Sequence, residues 1–294
     1  MEESFRSGYV SFTGRPNVGK STLLNVVLGQ KIAIVADRQQ TTRNRILGIK
    51  NYPEAQIIFV DTPGIHKPVH KLGSIMVKTA REVLSEMDLV VFVAEPHAID
   101  RDRDILESFK NLGKPVILLI NKIDKIKKPE ILSHIDEYRN IFDFKEIIPV
   151  SAIKHDGIDI FVEKVLEYLP YGPKYYSDDL VTDQMERFMV AEIIREKIVE
   201  NTSEEIPHSV AVEVISWTEK NNGMIVIGAN IYVERDGQKG IIIGHRGKLL
   251  KHIGTTARFD IEKLLAAKVF LELWVKVKKA WRDDNKMLNE LGYR

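Results

Sequence analysis

The 294-residue chain contains no cysteine. That excludes disulfides, thiolate metal centres and cysteine nucleophiles, and it fits a reducing compartment. No apolar run approaches the ~20 residues of a spanning helix, and Met1–Arg6 carries no apolar leader, so a soluble cytoplasmic protein is expected. Neither sign of charge dominates: 43 Lys and Arg face 42 Asp and Glu. The chain as a whole therefore has no electrostatic bias toward nucleic acid or membrane. Repeats and low-complexity tracts are absent as well. What the sequence does have is 44% hydrophobic residues, enough to bury a core in each of the two domains that its length suggests.

The charges are nevertheless segregated. From Lys239 to Arg282 there are eleven Lys and Arg against only Asp260, Glu262 and Glu272, whereas Asp178 to Glu205 is mostly acidic. Up to residue 170, β-rich runs (Tyr9–Thr13, Ile46–Asn51, Gln56–Asp61, Leu89–Ala94, Val116–Ile120, Ile147–Val150) alternate with helical patterns. That alternation predicts an α/β domain with a mostly parallel six-stranded sheet covered on both faces. A Pro-, Gly- and polar-rich stretch at 171–182 reads as a linker. From 183 to 294 the order α-β-β-α-α-β predicts a smaller α+β domain with an antiparallel sheet.

The most informative segment is Gly14-Arg15-Pro16-Asn17-Val18-Gly19-Lys20-Ser21, which follows an apolar strand and, with Thr22, opens a helix. Unpaired backbone N–H groups at a helix start attract anions. Gly14 and Gly19 allow a tight turn, Lys20 reaches the β/γ-phosphate oxygens, and the Ser21 hydroxyl is placed for Mg²⁺. Asp61-Thr62-Pro63-Gly64 ends the third strand, where the carboxylate can hold Mg²⁺ and Gly64 can offer its N–H to the γ-phosphate. Asn121-Lys122-Ile123-Asp124 follows the strand Val116–Ile120. An Asp124 carboxylate accepts from guanine N1–H and the 2-amino group, donors that adenine lacks. Asn121 would tie the loop together and the Lys122 stem would cover the base. Ser151-Ala152-Ile153 offers a backbone cap for the guanine oxygen.

In the second half, Ile243-Gly244-His245-Arg246-Gly247-Lys248, with Lys251 one turn on, forms a Gly-x-x-Gly turn between two helices. A turn of this kind can clamp a sugar-phosphate backbone. Trp274 lies on an apolar strand and is expected in the core. The run Lys276–Lys279 fits either phosphate contacts or a solvated strand end.

With its four segments in order, the first domain resembles the translation-factor-type GTPases, and the second resembles KH domains. Together they resemble the bacterial GTPases of small-ribosomal-subunit assembly over nearly the whole chain. The resemblance implies that Thr42, in Gln40-Thr41-Thr42-Arg43, closes over Mg²⁺ together with Ser21 and Asp61, with Thr41 as the alternative. It implies GTP and GDP as ligands and a catalytic set of Lys20, Thr42 and Asn17. Asn17 is the residue related GTPases use to bind K⁺, although a turn-forming Asn fits it equally well. The implied partners are single-stranded RNA near the 3′ end of small-subunit ribosomal RNA and the small subunit itself. The resemblance further implies peripheral contact with the inner membrane, for which no amphipathic anchor is visible, and a monomer is expected. One departure stands out. Signalling GTPases place a water-orienting Gln after the Gly, and here Ile65 occupies that position. A GTPase switch whose second domain binds a protein is the alternative, distinguished by whether that domain binds RNA.

Overall fold

The computed structural model describes residues 5–35, 42–65 and 68–293; Gln40 and Thr41 lie outside them. The chain divides into two units, most of the first lying before Asp183 and most of the second within Gln184–Arg294.

The first unit holds β1 (Arg6–Thr13), α1 (Lys20–Leu28), β2 (Ile46–Tyr52), β3 (Ala55–Asp61), α2 (Lys71–Glu86), β4 (Leu89–Ala94), α3 (Ile99–Phe109), β5 (Val116–Ile120), α4 (Lys128–Arg139), β6 (Glu146–Pro149) and α5 (Ile158–Tyr168). The strands form one sheet in the order β2-β3-β1-β4-β5-β6, in which only the β2–β3 pair is antiparallel. Every residue of β3, β4 and β5 is buried, as expected for strands covered on both faces. One face packs Phe12 against Phe59 at 5.3 Å between ring centroids, with Phe161 of α5 closing the cluster. The other presents Val90, Phe92 and Leu118 to Leu84, Leu106 and Tyr138 from the helices.

β1 has β3 on one side and β4 on the other, so the chain leaves it in opposite directions and a crevice opens at the carboxyl ends of the strands. Gly14, Thr62, Glu95, Asn121 and Ser151 all lie just past those ends.

Residues read as linker are bound to the sheet. Buried Gln56 donates to the Tyr176 carbonyl at 2.8 Å and accepts from the N–H groups of Tyr175 and Tyr176 at 2.8 and 3.0 Å. Farther on, Ile49 N–H donates to Val181 O at 2.7 Å and Thr182 Oγ1 to Leu47 O at 2.7 Å, so the exposed edge of β2 is covered.

The second unit contains α6 (Glu186–Asn201), α7 (Ile206–Ser209), β7 (Ala211–Glu219), β8 (Ile225–Val233), α8 (Asp236–Ile243), α9 (Lys248–Leu265), β9 (Val269–Val277) and α10 (Asn285–Glu290). Its sheet has the order β7-β8-β9 and is mixed rather than antiparallel: β7 and β8 are antiparallel, β8 and β9 parallel. The reason is the connection, since α8 and α9 lie between β8 and β9 and a helical crossover returns the chain in its original direction. Ile194, Ile227, Ile231, Ile253 and Ile261 form the core beneath the helices. Among the described residues no helix is long and apolar enough to cross a membrane.

The Gln56 contacts give a direct test of how the 171–182 segment is held. Gln56→Ala removes one side chain that satisfies three backbone groups, so it should destabilise the chain by about 2 kcal/mol in urea unfolding. Hydrogen exchange at Tyr175 and Tyr176 should accelerate; unchanged protection there would mean that the segment is held by other contacts.

Candidate nucleotide cleft and basic groove

The loop after β1 meets α1 at Gly19, whose φ of 100° is open to glycine and strained for other residues. A Cβ there would also lie 2.3 Å from Asn121 Nδ2. The N-terminus of α1 has no side-chain cap, so its first N–H groups face the crevice as an anion site. Lys20 is buried and donates to Gly14 O at 3.3 Å and Arg15 O at 2.9 Å, which folds its ammonium over the loop.

Beside it three oxygen-bearing side chains converge. Ser21 Oγ donates to Asp61 Oδ2 at 2.6 Å, Thr42 Oγ1 donates to the same oxygen at 3.0 Å, and the two hydroxyls are 2.7 Å apart. Asp61 Oδ1 is buried without a hydrogen-bond partner. A buried carboxylate oxygen left unpaired next to two hydroxyls fits a hard, oxygen-seeking cation such as Mg²⁺, which uses one or two carboxylates and takes its other ligands from water and phosphate. Among the described residues no group of three or more His, Cys, Asp or Glu is placed to hold a metal, so the cleft offers no multi-carboxylate cage.

Burial shapes both charges. It pushes Lys20 down from its ordinary value to about 8, with Arg15 adding to the effect and Asp61 opposing it. It pushes Asp61 up, against Lys20, Ser21 and Thr42.

On the far side of the loop, buried Asn121 donates from Nδ2 to Val18 O at 2.8 Å and accepts from Ala152 N–H at 3.1 Å. One amide thus joins three loops. Asp124 is exposed and accepts from Ser151 Oγ at 2.5 Å. Lys122 Nζ donates to Asn17 O at 2.6 Å. A guanine oxygen would share the Ala152 donor with Asn121, and Ile153 stands 67% exposed at the rim.

Several of the sequence-derived residues turn away from the cleft. Thr62 Oγ1 donates to Phe12 O at 3.0 Å, tying β3 to β1. Val18 is buried, and the Arg15 guanidinium runs under the loop to Asp102. Pro63 and Gly64 are buried, Gly64 lying against Pro16 of the phosphate loop, while Ile65 packs against the core and its N–H donates to Gly14 O at 3.2 Å. Asn17 and Thr22 are more open, Asn17 being exposed with φ 66°.

In the second unit, Gly244 and Gly247 have φ of 71° and 76°, and Arg246 between them is also left-handed at 53°. The turn leaves His245, Arg246, Lys248 and Lys251 exposed, with Ile243 half-buried against the core. A groove of about 440 Å³ continues from Gly247 between α9 and β9, lined by Lys251, Gly254, Thr255, Arg258, Phe270 and Leu273 among others. Thr255 and Arg258 stand one and two turns beyond Lys251, a helical spacing visible in the sequence. Phe270 was less legible, because strand alternation identifies a face and not what covers it.

Trp274, expected in the core, is not buried there. Trp274 is 43% exposed and packs over Gly228, while Trp281 is the core residue and donates from Nε1 to Ser209 O at 2.8 Å. Alternation along β9 turns Val269 and Val275 inward and leaves Trp274 on the opposite face with Phe270, Glu272 and Lys276. Lys276, Lys278 and Lys279 are exposed.

A family model described as a 50S ribosome-binding GTPase matches residues 9–122, and a KH-domain model matches 205–282. The chain is 51% identical over 293 residues to a protein named GTPase Era from Ruminiclostridium cellulolyticum, covering 99% of this chain and 98% of that one. It is similar to the crystal structure of Era in complex with MgGDPNP and nucleotides 1506–1542 of 16S ribosomal RNA, at 44% identity and a TM-score of 0.96 over 98% of this chain and 99% of that one. An Era variant of Aquifex aeolicus bound to GDP·AlF₄⁻ matches at 44% identity, TM-score 0.95 and the same coverage.

The depressed Lys20 makes ligand binding pH-dependent. Phosphate oxygens favour the ammonium form, so the bound state holds the proton to higher pH than the free state does. Binding should therefore take up a proton near pH 8 and weaken as pH rises above it. Calorimetry of GDP binding in buffers of different ionisation enthalpy should show this uptake. An affinity that stays constant between about pH 7 and about pH 9 would mean that Lys20 is already fully protonated in the free protein.

Proposed function

The chain belongs to the Era family of GTPases, and we propose that its first domain binds and slowly hydrolyses GTP with Mg²⁺ while its KH domain grips single-stranded RNA near the 3′ end of small-subunit ribosomal RNA during small-subunit assembly. The observation that carries the nucleotide half is the convergence of Ser21, Thr42 and Asp61 beside buried Lys20 at an uncapped helix start. The RNA half rests on the groove that runs from the Gly244–Gly247 turn, together with the relative crystallised on a 16S fragment.

In this reading the backbone from Gly14 to Gly19 cradles the phosphates and Lys20 neutralises charge on the β- and γ-oxygens. Ser21, Thr42 and Asp61 would hold Mg²⁺, which when bound neutralises phosphate charge. Gly64 offers its N–H to the γ-phosphate, and Asp124, backed by Ser151, reads the guanine edge. Because Ile65 packs against the core, its position supplies no polar group to orient water. Intrinsic hydrolysis is accordingly slow, and exposed Asn17 is the candidate to hold a K⁺ ion beside the phosphates. The proposed domain division is 1–170 and 183–294, joined by 171–182. The cytoplasm is the proposed location, as the RNA partner requires; the described residues add no support for contact with a membrane.

GTP turnover in K⁺ should exceed that in Na⁺, and Asn17→Ala should abolish the difference. Equal rates in the two salts would remove the cation from the mechanism.

His245→Asp combined with Arg246→Asp places negative charge where RNA phosphates pass, while Gly244 and Gly247 keep the turn. RNA binding should collapse with GTP binding retained, and each lost phosphate contact should flatten the log–log salt slope by about 0.7. Filter binding at several salt concentrations provides the measurement. Wild-type RNA affinity in the double variant would favour a protein partner for the second domain.

A further inference from the structure

Arg15 is part of the phosphate loop, yet its side chain points away from the cleft and into the domain. Its Nε donates to Asp102 Oδ1 on α3 at 2.6 Å, and the other oxygen of that carboxylate accepts from the Tyr138 hydroxyl on α4 at 2.6 Å. Asp102 and Tyr138 are both fully buried. A carboxylate withdrawn from water in this way costs several kcal/mol unless its oxygens are matched, so three elements are committed to one geometry.

A second branch begins two residues along the loop. The Asn17 carbonyl accepts from Lys122 Nζ at 2.6 Å, and the same ammonium lies 3.0 Å from Glu95 Oε2, just past β4. Glu95 Oε1 in turn stands 3.7 Å from Arg15 Nη2. Arg15 and Asn17 are thus held from below and from the side, and Glu95 stands against both cations.

The geometry points to Asp102 and Tyr138 as positioning residues for the phosphate loop, acting through Arg15, with Glu95 coupling that loop to the base-covering Lys122. None of the three would touch the nucleotide. Their effect is to fix the Arg15–Asn17 backbone so that the N–H groups beyond it converge on the phosphates before the ligand arrives. A loop freed from this brace would have to be ordered at each binding event, which weakens affinity for the phosphates and leaves base recognition intact. This assignment rests on the guanine-nucleotide reading above. Guanosine and GDP separate the two: failure to bind either in the wild type would sink that reading, whereas the ratio of their affinities tests the brace.

The experiment uses full-length Asp102→Asn and the milder Tyr138→Phe, which removes one hydroxyl and keeps the ring. Affinities for GDP and for guanosine, which has no phosphate, are measured alongside the melting temperature. The brace predicts that Asp102→Asn weakens GDP roughly tenfold, the equivalent of one charge-assisted hydrogen bond, with guanosine affinity unchanged. Tyr138→Phe should move the same ratio in the same direction by a smaller factor. Glu95→Gln, which faces both loops, should weaken both ligands. If Asp102→Asn does not fold, Tyr138→Phe decides the matter. A GDP-to-guanosine ratio equal to wild type in either folded variant would overturn the proposal, and so would a loss equal for both ligands, because a general loss of structure does not distinguish phosphate from base.

Discussion

The side-chain amide of Asn121 is the contact on which the cleft depends. It follows β5, donates to Val18 in the loop after β1, and accepts from Ala152 in the loop after β6. Three loops leaving three parallel strands would each be free to move; one buried amide with both ends engaged removes that freedom. The constraint extends into the sequence. Because the amide occupies the space where a Cβ at position 19 would sit, Gly19 is required both by its φ and by its neighbour. Fixing the register of the loops brings Asp124 to Ser151 and Lys122 to Asn17, so the base-reading and phosphate-reading segments share one frame.

Burial sets the electrostatics of this frame. Lys20 and Asp61 are both buried, and burial pushes each toward its neutral form. Each partly rescues the other, yet an oxygen of Asp61 stays without a hydrogen-bond partner. Phosphate beside Lys20 and a dication beside Asp61 would each supply a further opposite charge. A ligand that brings those charges would offset the burial cost of both groups, and the folded state would gain stability by mass action as nucleotide is added.

The cleft was legible in the sequence because its segments are local: eight consecutive residues make the phosphate loop, and four make each of the next two motifs. The parallel sheet followed from apolar runs alternating with helices. Contacts between distant residues were not legible. Nothing in the sequence pairs Arg15 with Asp102, because neither the spacing nor the residue types distinguish that carboxylate from its neighbours Asp100 and Asp104. The Pro and Gly content of 171–182 describes an absence of regular structure and says nothing about the buried Gln56 that binds this segment to the sheet. The parallel pairing of β8 and β9 was likewise missed, although two intervening helices argue for it. Trp274 shows the limit of hydrophobicity as a guide: on β9 the face is set by alternation, and a large aromatic can fall on the open side.

Both candidate sites begin a helix at a glycine. α1 begins at Gly19 and α9 at Gly247, each glycine with positive φ and neither helix start with a side-chain cap. At α1 the first N–H groups are left for a phosphate, whereas at α9 the Gly247 and Lys248 N–H groups already donate to Gly244 O and His245 O, so the exposed side chains carry more of the attraction there. What differs is the setting of the adjacent lysine. Lys20 is buried, so its charge acts in a poorly screened environment and can favour one tightly placed ligand. Lys248 and Lys251 are exposed, so their attraction is shared with mobile ions and falls as salt rises. A buried lysine suits a small nucleotide whose phosphates enter once and are held. Exposed lysines beside an open groove suit a polymer whose successive phosphates must be engaged and later released. A helix begun at a glycine thus suits retention in one unit and reversible grip in the other, according to how deeply the neighbouring charge is buried.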